Sequence, residues 1–466
     1  IGTFFYGDDF LNYLSYAQQA EEGAFLFRNR VLLDDHPPAL VNLEWWLVGR
    51  LSRLLGGAPL LAYRLFAVLA TLGFLAAADR WLRRLGLEDA RRLQALLLVA
   101  TGGGLGGLLF LATGREIERC LDMYVGLFPF LGLLTNPHFT AGTALLLLAL
   151  LLFETAQTTR ARVVAVAAGT ALALVRPYDL VLLVAARTAS VVFREPPRSW
   201  IPALLPLGGL LPVVAYLYWL FYRNPAFAFY ATTPYAFPPA LDFVWALAPA
   251  TALALPGLLR PVSDEAKRAR VPLAAWALLG LVLVMARPVH FSLQFLVGLG
   301  TPLLALAALG AAARPPRLTL LLTGLLSTTS VVLLVVVARP APEWFVPSED
   351  MAIVRALRAS CRPGDVVFAP PSIGVFAYGL TPCRAYVSHR IDPRYEEKLA
   401  ELQGFAALPP EGRAALLDAR RITHLVLPGD AGPEPVAWLG PGGRFRRSVV
   451  AAGSARAWSL YDRAAP

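Results

Sequence analysis

Two acidic pairs, Asp8-Asp9 and Asp34-Asp35, stand ahead of the first long apolar run, and His36 follows the second pair directly. Adjacent carboxylates are costly near hydrocarbon but strong as bases or cation ligands. Asp8 or Asp9 could take a proton from an acceptor hydroxyl as it attacks a sugar. His36 could hold phosphate or a metal. Further along, His138, Arg176 and Asp179 (within the tetrad Arg176-Pro177-Tyr178-Asp179), Arg287 and His290 each fall at or beside the end of an apolar segment. Basic groups there would stabilise a departing phosphate. Each also has a plainer use. An acidic pair ahead of a helix caps it and meets the favourable end of its dipole. His36 before Pro37-Pro38 reads as a loop residue, and arginines at membrane helix ends reach for headgroups. His138 and His290, near helix starts, read as interface residues. What favours chemistry is that all of them are expected on one membrane face.

The elements that must position these groups are membrane helices. The 466 residues are 57% hydrophobic and 16% charged, with mean hydropathy +0.56; a soluble domain carries about 25% charged residues. The net charge of +10 does not indicate nucleic acid, because the surplus sits in short connections between apolar segments. No phosphate-cradling glycine loop is present. GGGLGG at 102–107 falls inside an expected membrane helix, where it reads as a close-packing face, so no nucleotide cofactor is expected.

Apolar stretches near 60–80, 94–113, 138–156, 163–175, 179–193, 201–221, 240–259, 271–286, 292–312 and 318–338 approach the roughly 17–25 residues that cross a bilayer. They predict an all-helical polytopic bundle over 58–338, since only helices or closed barrels satisfy their own backbone in lipid. The segments at 163–175 and 179–193 are short, which would leave the tetrad between them below the membrane surface, lining a cavity. Alternate connections hold sixteen basic residues, from Arg80 to Arg317, against six in the other set: Arg115, Arg119, Arg176, Arg223, Arg287 and Arg339. The positive-inside bias places the first set in the cytoplasm, and residues 1–57 and 339–466 outside. A further helix is expected ahead of Ile1.

Within 1–57, Phe10, Tyr13, Ala17, Ala20 and Ala24 recur at helical spacing. A second helix with Leu40, Leu43, Leu47, Leu51 and Leu54 on one face is expected to start at Pro37-Pro38 and to lie along the membrane, Trp45 and Trp46 in the headgroup layer. From about 347 the texture changes. SEDMAIVRALRAS reads as a helix capped at Ser348, DVVFAP, RAYVSH and ITHLVLP as buried strands between helices, and residues around Gly453 as a closing hairpin. That is a small α/β domain over 339–466. Cys361 and Cys383 share it and could pair. Cys120 lies elsewhere, and no metal-ligand spacing such as CxxC occurs.

GDDFLNYLSYAQQAEEGAFLFRN, followed by DDHPPALVNLEWWLVGRLSRLLGG, resembles the first exoplasmic loop of the family C glycosyltransferase fold, which includes protein O-mannosyltransferases and the aminoarabinose transferases of lipid A. His36-Pro37-Pro38 is similar to the HPP of the mannosyltransferases, and only residues 6–57 carry a motif. The resemblance implies that Asp8 or Asp9 is the base or binds a divalent cation, Mg or Mn. Asp34, Asp35 and His36 would lie near the donor phosphate. It further implies a polyprenyl-phosphate sugar donor, transfer with inversion to a lipid, glycan or protein acceptor, a hexosyl- or pentosyltransferase of mannosyltransferase-like type, and residence in a bacterial inner or plasma membrane. The second acid departs from the pattern: Asp9 stands where several relatives have Glu, which leaves open which of the pair is the base. A transporter or flippase is the alternative from another class, although such proteins place their ionisable groups at the midplane and show internal repeats; none is visible here. A non-catalytic assembly partner and a ligase using Arg287 and His290 are further alternatives.

Overall fold

Apolar periodicity sets the helices, and proline and small polar residues set many of their ends. The computed structural model describes residues 7–114, 116–124, 126–232, 236–260, 263–339, 346–428, 445–452 and 457–463. The chain opens with α1 (Gly7–Glu21) and α2 (Leu43–Leu54). It continues through α3 (Pro59–Arg84), α4 (Asp89–Thr101), α5 (Gly106–Thr113), α6 (Leu121–Tyr124), α7 (Pro129–Thr135), α8 (Pro137–Thr155) and α9 (Thr159–Val175). Next come α10 (Pro177–Arg194), α11 (Trp200–Leu204), α12 (Leu211–Tyr222), α13 (Ala240–Leu259), α14 (Asp264–Ala286), α15 (Gly300–Ala312), α16 (Pro316–Leu326) and α17 (Thr328–Ala338). The last part holds α18 (Ser348–Ser360), β1 (Val366–Phe368), α19 (Pro371–Leu380), β2 (Arg384–Ala385), α20 (Tyr395–Gly404), α21 (Pro410–Ala419), β3 (His424–Pro428), β4 (Phe445–Ala452) and β5 (Ala457–Arg463). Two compact units result. One gathers Ile1–Tyr63, Pro225–Tyr230 and Ala341–Pro466; the other holds Arg64–Asn224 and Ala231–Pro340.

In the second unit all ten apolar segments are largely helical. Six are long and apolar enough to cross a membrane: Pro59–Arg84 (which begins in the first unit), Pro137–Thr155, Pro197–Tyr222, Ala240–Leu259, Asp264–Ala286 and Ser292–Ala312. Two more qualify as bent pairs, α4 with α5 at 50° and α16 with α17 at 43°. The remaining two are the short pair, α9 and α10, of 17 and 18 residues. GGGLGG does pack closely, since a Cβ on Gly104 would lie 2.2 Å from the Ala246 carbonyl oxygen. It is not within an unbroken helix, however, but forms the break between α4 and α5. The buried Asp122 Oδ2 accepts the Gly104 and Gly106 N–H groups at 3.0 and 2.9 Å, and Gly103 N–H donates to Leu326 O at the other break. Each break supplies partners for backbone that lipid could not satisfy.

In the first unit α1 is buried on almost every side and ends at Gly23, whose φ of 117° stops the helix before Ala24. Helix α2 starts at Leu43, not at Pro37-Pro38. Residues 39 and 40 instead pair with Phe27, whose carbonyl accepts both their N–H groups, and Asn42 Oδ1 caps the helix at Trp45 N–H. The leucine stripe is the open side of α2, with Leu47 and Leu54 exposed, and Glu44, Trp45, Val48, Gly49 and Ser52 face inward. Trp45 therefore stacks between Tyr13 and Tyr63, away from any headgroup, and only Trp46 reaches the surface, under Arg50. The α/β part has sheet order β2-β1-β3-β5-β4, with β2, β1 and β3 parallel and the β4–β5 hairpin antiparallel. The hairpin's turn at Gly453 lies outside the described residues. Ser348 is the first residue of α18 rather than its cap; Pro347 takes that place and the serine hydroxyl donates to Glu349. Cys361 and Cys383 form a disulfide.

Candidate functional site

In the first unit, Asp8 and Asp9 both fall in the first turn of α1, where the helix dipole favours negative charge. The side chain of Asp8 lies outside the described residues. Asp9 is half-exposed, and its Oδ1 lies 3.2 Å from Nε2 of His389, a buried ring just beyond β2. Beside this end of α1 runs a largely buried polar network, with Asn12 and Tyr16 buried and Tyr230 half-buried. Tyr230 receives hydrogen bonds from Asn12 Nδ2 (3.3 Å) and from the Tyr16 hydroxyl. Burial holds Tyr16 well above the usual phenol range and Tyr230 above it, so both stay protonated.

The loop after α1 is pinned by one residue that no motif singles out. Asn29, fully buried, donates from Nδ2 to Ala226 O (2.9 Å), accepts Val31 N–H at Oδ1, and gives its own N–H to His36 Nε2 (3.0 Å). His36 Nδ1 faces Asp34 O at 2.9 Å. An imidazole that accepts at Nε2 and donates at Nδ1 is fully satisfied within its loop. Asp34 is exposed. Asp35 pairs with Arg384, which also donates to Leu33 O; the Arg384 hydrogen bond holds its carboxyl below the usual carboxylate range. Arg28, Arg30, Asp35, His36 and Arg384 line a cavity of about 580 Å³.

In the second unit Arg176 and Asp179 of the tetrad are buried and Pro177 and Tyr178 half-buried. Arg176 Nε donates to Asp179 Oδ2 (3.0 Å), both about 2% exposed, while Nη2 reaches the Gln294 carbonyl and side-chain oxygens at 3.2 and 3.3 Å. Its guanidinium stands 5.2 Å from the Phe139 ring, and His138, the neighbouring residue on α8, lies within electrostatic reach of Asp179. Gly142 makes this possible, since a Cβ there would come within 2.1 Å of Arg176 Cδ. Arg287 ends α14 in a left-handed conformation (φ 52°) with its guanidinium 3.6 Å from the Phe237 ring centre, and His290 is exposed three residues on. A further cavity of about 740 Å³, lined among others by Arg84, Glu154, Arg187 and Arg194, contains none of the predicted site residues.

Thus the structure brings Asp9 to His389 and sets His138 within electrostatic reach of Asp179. Cys361, Cys383 and His424 lie close enough together for a metal ion, but the two sulfurs are bonded to each other, which makes this a disulfide beside a buried histidine. His389, Asn29 and Gln294 escaped the sequence reading. A signal for His389 existed in its position just past a parallel strand's carboxyl end, where α/β sheets place functional groups.

No protein-family model matches the sequence, and no curated protein matches it. Solved structures do match in three dimensions, two crystal structures of one protein among them. ArnT from Cupriavidus metallidurans bound to undecaprenyl phosphate aligns with a TM-score of 0.56 at 13% identity, over 98% of this chain and 94% of that one. The same protein in the apo state aligns with a TM-score of 0.56 at 13% identity, over 99% and 94%. With this near end-to-end match and the apolar spans, the chain is an integral membrane protein with the family C glycosyltransferase fold, its small α/β part included.

Proposed function

We propose that the protein is a membrane glycosyltransferase that moves a sugar from a polyprenyl-phosphate donor to an acceptor hydroxyl, with Asp9 or its neighbour Asp8 as the base. Asp9 carries the reading: a half-exposed carboxylate at a helix N-terminus, 3.2 Å from the buried His389 ring. The undecaprenyl phosphate bound by the ArnT structure supports a lipid-linked donor. In the reaction Asp9 accepts the acceptor's proton, and the freed oxygen forms a bond to the sugar's anomeric carbon. The bond from that carbon to the phosphate oxygen breaks on the opposite face, which gives inversion, and polyprenyl phosphate departs with the electron pair.

Arg287 and His290, both exposed on the helical unit, are of the type that meets a phosphate, and the step at Asp9 is argued without them. Arg176 is committed to Asp179 and Gln294, so its part is to hold α8, α10 and the 292–296 turn in place. Asp34, Asp35 and His36 shape the loop beside the donor. A divalent cation, Mg or Mn, would take Asp8 and Asp9 as ligands and would polarise the phosphate oxygens. Among the described residues the group nearest Asp9 is one imidazole, Nε2 of His389, whose other nitrogen accepts the Ile391 N–H; Mg²⁺ prefers about six oxygens. The sugar is a hexose or pentose, and the acceptor a lipid, glycan or protein. The disulfide and the distribution of basic residues support an extracytoplasmic side for 1–57 and 339–466, and the membrane we propose is a bacterial inner or plasma membrane.

The test uses the full chain in proteoliposomes with undecaprenyl-phosphate-linked sugars, reading release of undecaprenyl phosphate. Asp9→Asn or Asp8→Asn should lower turnover by about 10²–10⁴-fold, the span of a general base. Undiminished release in the double variant would remove the assignment.

A further inference from the structure

We propose that His389 is the positioning residue for Asp9, a histidine from the far end of the chain that fixes which carboxylate oxygen is free to accept the proton. The inference rests on the function proposed for Asp9.

The ring's tautomer follows from its hydrogen bonds. Nδ1 of His389 accepts the N–H of Ile391 at 3.0 Å. In the neutral ring the proton is then on Nε2, and Nε2 is the atom 3.2 Å from Asp9 Oδ1. The two lie within ion-pair distance without the alignment of a full hydrogen bond, and among the described residues Nε2 has no other partner. A buried N–H left unpaired is unfavourable by more than a hydrogen bond gains. A small rotation of the half-exposed carboxylate closes the bond, as catalytic hydrogen bonds tighten when substrate arrives. Once Oδ1 is occupied by Nε2–H, Oδ2 is the oxygen left to take the acceptor's proton.

The platform under the ring is rigid. Asp392 N–H donates to His389 O (2.9 Å), Asp392 accepts Arg394 N–H (2.9 Å), and its carboxylate pairs with the buried Lys398. On the other side Ser388 Oγ donates to Val31 O (3.1 Å), which ties the residue before His389 to the loop that follows α1. The turn is braced to the part of the chain whose acid it serves.

Two measurements test the proposal on the full chain in detergent or proteoliposomes. The first needs no substrate. With ¹⁵N-labelled histidine, His389, identified by its loss in His389→Gln, should show the Nε2–H tautomer, and its Nε2 resonance should move in Asp9→Asn. An Nδ1–H tautomer, or a resonance unmoved by Asp9→Asn, overturns the inference. The second reads turnover with undecaprenyl-phosphate-linked sugars. His389→Leu should lower kcat about ten- to a hundredfold, the worth of a hydrogen bond to a charged group, with KM for the donor unchanged. His389→Gln, whose amide nitrogen stands where Nε2 was, should restore most of it. Variants are compared only where the Cys361–Cys383 disulfide is intact on a non-reducing gel. If Asp9→Asn is silent, the function proposed for Asp9 fails. If Asp9→Asn is inactive while His389→Leu turns over like the parent, only the role of His389 fails.

Discussion

His36 is engaged at both ring nitrogens, by Asn29 N–H and Asp34 O, and this makes it a brace for the acidic loop. Replacing it by alanine leaves the N–H of the fully buried Asn29 without an acceptor, a loss of about 1–3 kcal/mol. His36→Ala should therefore lower the thermal midpoint of the purified protein without changing the response of transfer to EDTA. Asp35 behaves differently because its partner is charged. Arg384 depresses its folded pKa below the ordinary 3.8. The associated stability is complete above that ordinary value and disappears as pH falls through the lower folded one. Arg384→Gln should erase that acid-range dependence in a pH series of unfolding midpoints.

At the scale of elements, the short helices α9 and α10 meet at a buried ion pair that could not survive alone. Arg176→Ala strands the Asp179 carboxylate, about 3–5 kcal/mol of destabilisation, whereas replacing both by apolar residues of similar volume should recover much of it. Thermal unfolding of the single and double variants in one detergent distinguishes these outcomes. In the sheet, burial lowers the pKa of His424 below 6.5, with Asp462 and Asp365 opposing. A neutral buried histidine contributes fully above 6.5, and the unfolded chain binds the extra proton below it. The sheet unit should thus lose stability on going from pH 7 to 5, and His424→Gln should flatten that slope.

These elements also show what a sequence can disclose. Helices and strands of the right period were visible because burial repeats with the backbone's own geometry. The start of α2 was misread because Pro37-Pro38 suits a first turn equally well as an extended segment, and the choice was made by Phe27, ten residues away, through backbone bonds. GGGLGG was rightly read as small residues for close approach, but nothing local shows that Asp122 captures their N–H groups and breaks the helix. The acidic pair was legible as types at a spacing. The pairing of Asp9 with His389 was not, since 380 residues separate them.

For the whole molecule, the disulfide offers a check on topology. It closes a segment with a sequence separation of 22, for which loop entropy predicts about 3 kcal/mol. Cys361→Ser should destabilise the unit containing the sheet by roughly that amount. In intact cells a membrane-impermeant maleimide should leave both cysteines unlabelled until a reductant is added, and then label them from outside; labelling only after permeabilisation would reverse the orientation.

The first unit draws on the beginning, the middle and the end of the chain: 1–63, 225–230 and 341–466. A ribosome adding about 5–20 residues per second needs on the order of 20–80 s between making Asp9 and making His389. Throughout that interval the nascent acid lacks the imidazole proposed to position it, so prematurely terminated products carry the motif without that partner.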